Sequence, residues 1–218
     1  FDFLLQYKNL LTQGPGIHDG NRYLVMLGLA LLLMPRVLGM RLLALACLLV
    51  ALWVPIQRPN EGGFSLMVLD VGQGSAAIIE TAHHTVLVDT GTRFLSGMTL
   101  VDYVVMPYMR SRNIQTLDML HLSHDDKDHS GGAQLLMHKS AQVINQHQCD
   151  YFSWHWDGVH FERFKAMAFA EGNNGSCLLK VTDAGGNSLL MAGDIEAPAE
   201  RSLLKTMREK LAASVLLV

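Results

Sequence analysis

Two uncharged, apolar runs dominate the first quarter of the chain. They cover residues 23–34 and 42–56 and are separated by a short basic connection. Neither run shows the polar face of a helix that borders water. Each is shorter than the roughly 20 residues that cross a bilayer core, but flanking residues and snorkelling arginines bring it close to that length. We predict two transmembrane helices within residues 22–57. A pair of buried soluble helices and a secretory signal peptide are the alternatives.

The basic connection orients this predicted hairpin. Arg36 and Arg41 lie between the two runs, and cytoplasmic loops are enriched in Lys and Arg, so the part after Trp53 is expected on the opposite side. Residues 1–21 are broken by Gly14-Pro15-Gly16 and are expected to be a fragment of a preceding membrane or loop segment. Because the chain starts without Met, we expect it to be a piece of a longer protein.

A different pattern begins after a linker of turn-forming residues at 57–63, where we place a domain boundary. The domain 58–218 alternates short apolar runs with turns, which predicts strands joined by hairpins. The predicted strands are 64–71, 76–81, 85–89, 117–122, 177–182, 188–192 and 214–218, with helices near 131–138 and from about Pro198.

Charge argues against a broadly basic nucleic-acid-binding surface. After Gln57 the chain has 13 Lys/Arg and 18 Asp/Glu side chains. A polyanionic substrate would have to be held locally, by metal ions or by a small cluster such as Arg110 and Arg112.

The densest group of ionisable side chains follows the predicted strand 117–122. Residues 124–129 contain two histidines and three aspartates, and Gly131-Gly132 follows directly. So many carboxylates repel one another unless a positive charge lies among them, which favours a divalent cation. The alternative is a solvated acidic turn that caps the next helix. Asp194, at the end of a predicted strand, either reaches the same site or caps the helix that follows.

The sequence His124-x-Asp126-x-Asp128-His129 resembles the metal-binding signature of the metallo-β-lactamase superfamily, with Asp126 replacing the usual second histidine. Three further motifs follow the order used in that superfamily: Asp70-Val71-Gly72-Gln73-Gly74, Asp89-Thr90-Gly91 and Ala192-Gly193-Asp194. The apolar helices directly ahead of them resemble the ComEC-type family, inner-membrane channels for DNA uptake in natural transformation.

This resemblance implies an αββα sandwich, an α/β fold, preceded by a transmembrane helical hairpin. It implies two divalent ions: His124 and Asp126 bind one, Asp128 and His129 the other, and Asp194 bridges them. The aspartate at 126 favours manganese, with zinc or magnesium as alternatives. Asp128 would also be catalytic by orienting the attacking hydroxide. Polar residues expected to bind the substrate are Lys127, Asn174 and Ser176, of which the last two could instead form an ordinary turn.

The resemblance also implies a function and a location. The domain is expected to be a nuclease that degrades the non-transported strand of DNA, with single-stranded DNA, the membrane and other competence or DNA-translocation proteins as partners. The protein would be a multi-pass inner-membrane protein with this domain on the periplasmic side. The alternative functions are a non-hydrolytic, DNA-guiding part of the channel and, less favoured, a small-molecule hydrolase.

Two departures from the family pattern stand out. Ser75 occupies a position that is often acidic in the family. The family also continues past a strand like 214–218 into a His-His-Gly-Ser motif that completes the second metal site, so we expect this domain to be incomplete at its C-terminus.

The remaining chemistry is more ordinary. Cys149 and Cys177 could form a disulfide if the domain is periplasmic. The aromatic residues Phe152, Trp154 and Trp156 either stack on nucleic-acid bases or, as we favour, pack along an edge strand.

Overall fold

A computed structural model of the chain describes residues 19–33, 38–53 and 57–218. These residues fall into two units. One contains the N-terminal helices and residues 107–114, and the other contains residues 58–106 and 115–218. Of the predicted segment 1–21, only residues 19–21 belong to the described part, where they begin a helix.

The first unit is built on two helices, α1 (Asp19–Leu33) and α2 (Leu38–Trp53). They approach closely at Gly28, where an added Cβ would lie 2.8 Å from Cγ of Leu48. Large apolar side chains cover the outside of both helices, and Leu33 is 87% exposed. The pair therefore presents far more apolar surface than a helix pair bordered by water normally does.

Among the described residues, no helix has both the length and the apolar character needed to cross a membrane. Helices α1 and α2 have 15 and 16 residues. The predicted segment 22–57 therefore contains two packed helices, and their crossing of a membrane stays a prediction.

The second unit contains two five-stranded sheets. Strands of the first sheet are β1 (Ser65–Val68), β2 (Ala77–Glu80), β3 (Thr85–Val88), β4 (Leu117–His121) and β5 (Ser140–Ile144), in that spatial order. Pairs β1–β2 and β2–β3 are antiparallel, whereas β3–β4 and β4–β5 are parallel. The β3–β4 connection contains a π-helix (Val101–Val105) and α3 (Met106–Ser111), and the β4–β5 connection contains α4 (Lys127–Ser130) and α5 (Ala133–Leu136).

Strands of the second sheet are β6 (Phe152–Trp156), β7 (Val159–Phe164), β8 (Leu178–Thr182), β9 (Ser188–Met191) and β10 (Val215–Leu217). The spatial order is β10-β9-β8-β7-β6, and only the β9–β10 pair is parallel. Helix α6 (Ala197–Thr206) lies between β9 and β10 in the chain.

The core forms where the two sheets face each other. Alternate residues of both sheets are buried there: Ile79, Val86 and Met119 from the first, and Phe161, Val181 and Leu189 from the second. A second cluster joins the opposite face of the second sheet to α6 through Leu178, Leu190 and Leu203. The layers around the second sheet therefore run sheet, sheet, helix, as expected for this sandwich.

Most predicted strands are confirmed, including the hairpin β8–β9 and the edge position of β6. Strands β5 and β7 were not predicted. The sequence of β5, Ser140–Ile144, mixes polar and apolar residues at a sheet edge, so its apolar alternation is weak. The disulfide Cys149–Cys177 is formed and joins the segment before β6 to the start of β8.

Candidate metal centre

The candidate site lies where β3, β4 and β9 end. Asp89 directly follows β3, Ser123 and His124 follow β4, and Asp194 follows β9. Because β3 and β4 are parallel neighbours, their carboxyl ends bring Asp89 and Ser123 together at one edge of the first sheet. The short helix α4 then places His129 against the same edge, where the backbone N–H of Thr90 donates to the His129 carbonyl oxygen at 2.7 Å.

Three side chains converge there. One ligand-type atom each from His124, His129 and Asp194 lies within 4.8 Å of the other two. The Nε2 atom of His129 is 3.3 Å from Oδ2 of Asp194, and the two imidazole centroids are 4.2 Å apart. Two imidazoles and a carboxylate at this spacing are a donor set for a divalent transition metal.

The Nε2 atom of His124 is a buried polar atom whose bonding is unsatisfied among the described residues. The His124 side chain is completely buried, and its Nε2 atom makes no hydrogen bond within the described part of the chain. A buried imidazole nitrogen without a partner is costly in a folded protein. A metal ion that accepts its lone pair would satisfy it, so the residues present fit a bound cation.

Asp89 orients both imidazoles. Its Oδ2 atom accepts a hydrogen bond from Nδ1 of His129 at 2.9 Å and one from the hydroxyl of Ser123 at 2.8 Å. The Ser123 oxygen lies 3.0 Å from Nδ1 of His124 and can accept a hydrogen bond from its N–H. Each imidazole then keeps its proton on Nδ1 and turns the free Nε2 toward the site. Such hydrogen-bonded carboxylates fix the tautomer of metal-binding histidines.

The carboxylates of the site act on the pKa of His129. Burial by itself lowers this pKa, but the hydrogen bond to Asp89 and the charges of Asp89, Asp194 and Asp128 outweigh that effect and raise it. Complete burial lowers the pKa of the neighbouring His121, and the hydrogen bond to the Cys177 carbonyl and the charge of Asp89 do not offset it. The protein therefore stabilises positive charge at His129 and disfavours it at His121.

The two other predicted ligands lie at the rim. An oxygen of Asp126, whose side chain is 59% exposed, is 3.7 Å from Nε2 of His124. Asp128 lines a cavity together with His129, Asp194, Gln73 and Ser75. All five predicted metal ligands are thus in one neighbourhood, and their individual roles stay predictions.

The end of the motif at residues 70–74 packs against the backbone of Asp128. Gly74 has φ +103°, and a Cβ there would lie 2.0 Å from the carbonyl oxygen of Asp128. The backbone N–H of Ser75 also donates to that oxygen at 3.3 Å. Only glycine permits this close approach of the two backbones.

The three predicted substrate-binding residues are placed differently. Asn174 exchanges hydrogen bonds with Glu196 at 3.0 and 3.1 Å. Ser176 is completely buried, and its hydroxyl donates to the carbonyl oxygen of Asn173 at 2.7 Å. Lys127 is exposed at the start of α4. The first two side chains therefore serve local structure in this state, and their binding of substrate stays a prediction.

Asp89 and Ser123 are site residues that the sequence reasoning did not assign. Asp89 stood out only as part of a motif, and its φ of +57° at a strand end is a signal visible only in the structure. Ser123 precedes His124 directly, but its role depends on contacts across the fold.

Comparison with known proteins places the chain among competence proteins. It is 34% identical over 202 residues to the competence protein ComA of Neisseria gonorrhoeae, covering 86% of this chain and 28% of that protein. It is 31% identical over 178 residues to recombination protein 2 of Haemophilus influenzae, covering 75% and 22% respectively. The chain spans about a quarter of the length of the curated relatives it matches. No family model matches it.

Solved structures identify the fold. A β-lactamase from Chitinophaga pinensis superposes with a TM-score of 0.50 at 13% identity, covering 76% of this chain and 78% of that protein. This similarity confirms the expected metallo-β-lactamase-like arrangement of two sheets. The competence relatives, at 34% and 31% identity, show that the chain belongs to the ComEC-type family of competence proteins.

Proposed function

We propose that residues 58–218 form a metal-dependent phosphodiesterase that acts on single-stranded DNA during DNA uptake, degrading the strand that is not transported. The observation that carries this proposal is the convergence of His124, His129 and Asp194 within 4.8 Å, together with the buried Nε2 of His124, which has no hydrogen-bond partner among the described residues. The similarity to competence proteins supports DNA as the proposed substrate class.

Each residue has a separate task in this proposal. His124, His129 and Asp194 hold a divalent ion, and Asp126 and Asp128 extend the donor set toward a second one. Bound ions of this kind lower the pKa of water and stabilise the charge that develops on a phosphodiester. Asp128 faces the cavity and orients the attacking water, while Asp89 keeps the two imidazoles in the correct tautomer.

The donor atoms bear on the choice of metal. Two imidazoles with one carboxylate suit zinc well, and the exposed Asp126 adds a harder oxygen ligand. The sequence favours manganese through Asp126, but the central group of donors gives no preference for it. We propose a pair of divalent ions, with zinc, manganese and magnesium as the ions to compare.

We also propose that the protein lies in the inner membrane with this domain on the periplasmic side. The apolar outer surfaces of α1 and α2 support membrane association. The Cys149–Cys177 disulfide supports an oxidising compartment such as the periplasm, because cytosolic thiols are normally kept reduced. Protease protection of membrane vesicles tests the orientation: residues 58–218 should be cleaved only when the periplasmic face is accessible.

A cleavage assay tests the proposed activity. The full chain is incubated with end-labelled single-stranded DNA and with each divalent ion, beside Asp128→Ala and, as a matched control, Asp150→Ala, which changes an exposed aspartate outside the site cavities. We expect cleavage that requires metal, is lost in the Asp128 variant and persists in the control. Intact DNA at saturating metal with a folded chain would refute the nuclease, and retained DNA binding in that case would favour a DNA-guiding module.

A further inference from the structure

We infer that the Cys149–Cys177 disulfide clamps the loop that carries His124, so that metal affinity depends on the oxidation of these two cysteines. The inference rests on the metal-dependent function proposed above. We define the metal loop as residues 123–126, the stretch between β4 and α4 that contains His124 and Asp126.

The clamp has two arms, and the first is the segment 146–149, which ends at Cys149. The short 3₁₀-helix Gln146–Gln148 precedes this cysteine, and two of its side chains hold Asp125 in the metal loop. Nε2 of Gln146 donates to Oδ2 of Asp125 at 2.9 Å, and Nε2 of His147 lies 2.9 Å from the same oxygen. Asp125 lies directly beside His124, so this arm fixes the outer side of the loop.

The other arm begins at Cys177. Its backbone N–H donates to the carbonyl oxygen of Ser123 at 2.7 Å, and its own carbonyl oxygen accepts from Nε2 of His121 at 2.9 Å. Cys177 also lines the cavity that contains His129 and Asp194. This arm therefore fixes the inner side of the loop, from β4 to the residue before His124.

The same arm supports the turn that presents Asp194. A Cβ built on Gly193 would lie 3.0 Å from Cβ of Ser123 and 3.1 Å from Cβ of Ser176. Gly193 thus packs between the metal loop and the residue before Cys177. A shift of this arm would move His124 and Asp194 relative to each other.

The disulfide is the covalent link between the two arms. Both cysteines are buried, at 0% and 1% exposure, and 28 residues separate them in the chain. Without the bond, each arm can move with its own segment, and the loop between them loses its fixed position. Ligands held within a fraction of an ångström bind metal more tightly than ligands that must first be ordered. Formation of the disulfide therefore prepares the site for metal.

Zinc affinity of the full chain, measured in detergent by competition with a chromophoric chelator, tests this inference. The oxidised chain is compared with a chain reduced by a phosphine that is removed before titration, and with the Cys149→Ser/Cys177→Ser variant. Cys47→Ser is the matched control because Cys47 lies outside the disulfide. We expect about a tenfold or larger loss of affinity in the reduced chain and the double variant, and none in the control.

A second pair of variants leaves the disulfide intact. His147→Ala removes one contact to Asp125, and His138→Ala removes an exposed histidine of the 3₁₀-helix Met137–Lys139. The first should lower zinc affinity by about threefold or more, and the second should not change it. This pair decides the question if the double variant does not fold, as judged by circular dichroism.

The outcomes separate the two proposals. If the reduced chain and the His147→Ala variant bind zinc as tightly as the oxidised wild-type chain does, the clamp is overturned and the metal site stays in place. Absence of zinc binding in the oxidised wild-type chain would overturn the proposed metal-dependent function itself.

Discussion

Nδ1 of His129 lies 2.9 Å from Oδ2 of Asp89, although 40 residues separate them in the chain. The same carboxylate reaches His124 through the hydroxyl of Ser123. One buried aspartate thus sets the orientation of both imidazoles, and the predictions below follow from this arrangement and its supports.

Replacing Asp89 with Asn should weaken metal binding about 10- to 100-fold, because the carboxylate that fixes both imidazole tautomers loses its charge. Zinc affinity measured by chelator competition checks this. Asp183→Asn, in the exposed β8–β9 turn, removes the same charge away from the site and should bind zinc as the wild type does. Unchanged affinity in the Asp89 variant would contradict its orienting role.

His124→Ala should abolish stabilisation by zinc. An ion present at about 100 times its Kd raises the free energy of unfolding by about 2.7 kcal/mol when it binds only the folded state. The wild-type chain and His138→Ala should show this gain in chemical denaturation, and His124→Ala should not. A full zinc-dependent gain in His124→Ala would place the ion elsewhere.

Gly74→Ala should cost more stability than Gly72→Ala. Both glycines have positive φ, at +103° and +65°, so alanine is strained at either position. A Cβ at Gly74 also meets the Asp128 backbone, whereas one at Gly72 meets nothing within 4 Å. We expect about 1 kcal/mol for Gly72→Ala and about 3 kcal/mol or more for Gly74→Ala, with lower zinc affinity only in the latter. Equal effects in both variants would show that the close approach to Asp128 is not required.

Asp157 should stabilise the domain in a pH-dependent way. Burial raises its pKa, but hydrogen bonds from Thr81, His84 and the His83 N–H outweigh this and hold the pKa well below its usual range. Because the folded-state pKa is depressed, this contribution is present above about pH 4 and is lost as the pH falls toward the folded-state value.

Asp157→Asn should therefore lower the free energy of unfolding by about 2 kcal/mol at pH 7. The difference from wild type should shrink below about pH 4, as measured by denaturation at several pH values. Asp150→Asn is the control on an exposed side chain. A difference that stays constant from pH 7 to pH 3 would contradict the role of the charge.

The metal ligands could be predicted from the sequence better than the residues that orient them. His124, Asp126, Asp128 and His129 are close in sequence, so their shared chemistry is visible without a fold. The role of Asp89 depends on β3 and β4 being parallel neighbours, which local patterns do not reveal. The Cys149–Cys177 pair likewise depends on two segments meeting across the second sheet.

The fold shows the same division. Strongly apolar stretches such as β2, β3 and β9 were predictable because their own residues favour burial in a sheet. Strand β5 forms mainly because β4 offers it a free edge, which is information outside its five residues. The contacts of Asn174 with Glu196 depend in the same way on the turn after β9.

Anomalous diffraction from crystals of the zinc-loaded chain is the most direct test of the central claim. The account predicts an anomalous peak between Nε2 of His124, Nε2 of His129 and the carboxylate of Asp194. No peak there, or zinc bound only at exposed histidines elsewhere, would contradict the assignment of this site as the metal centre.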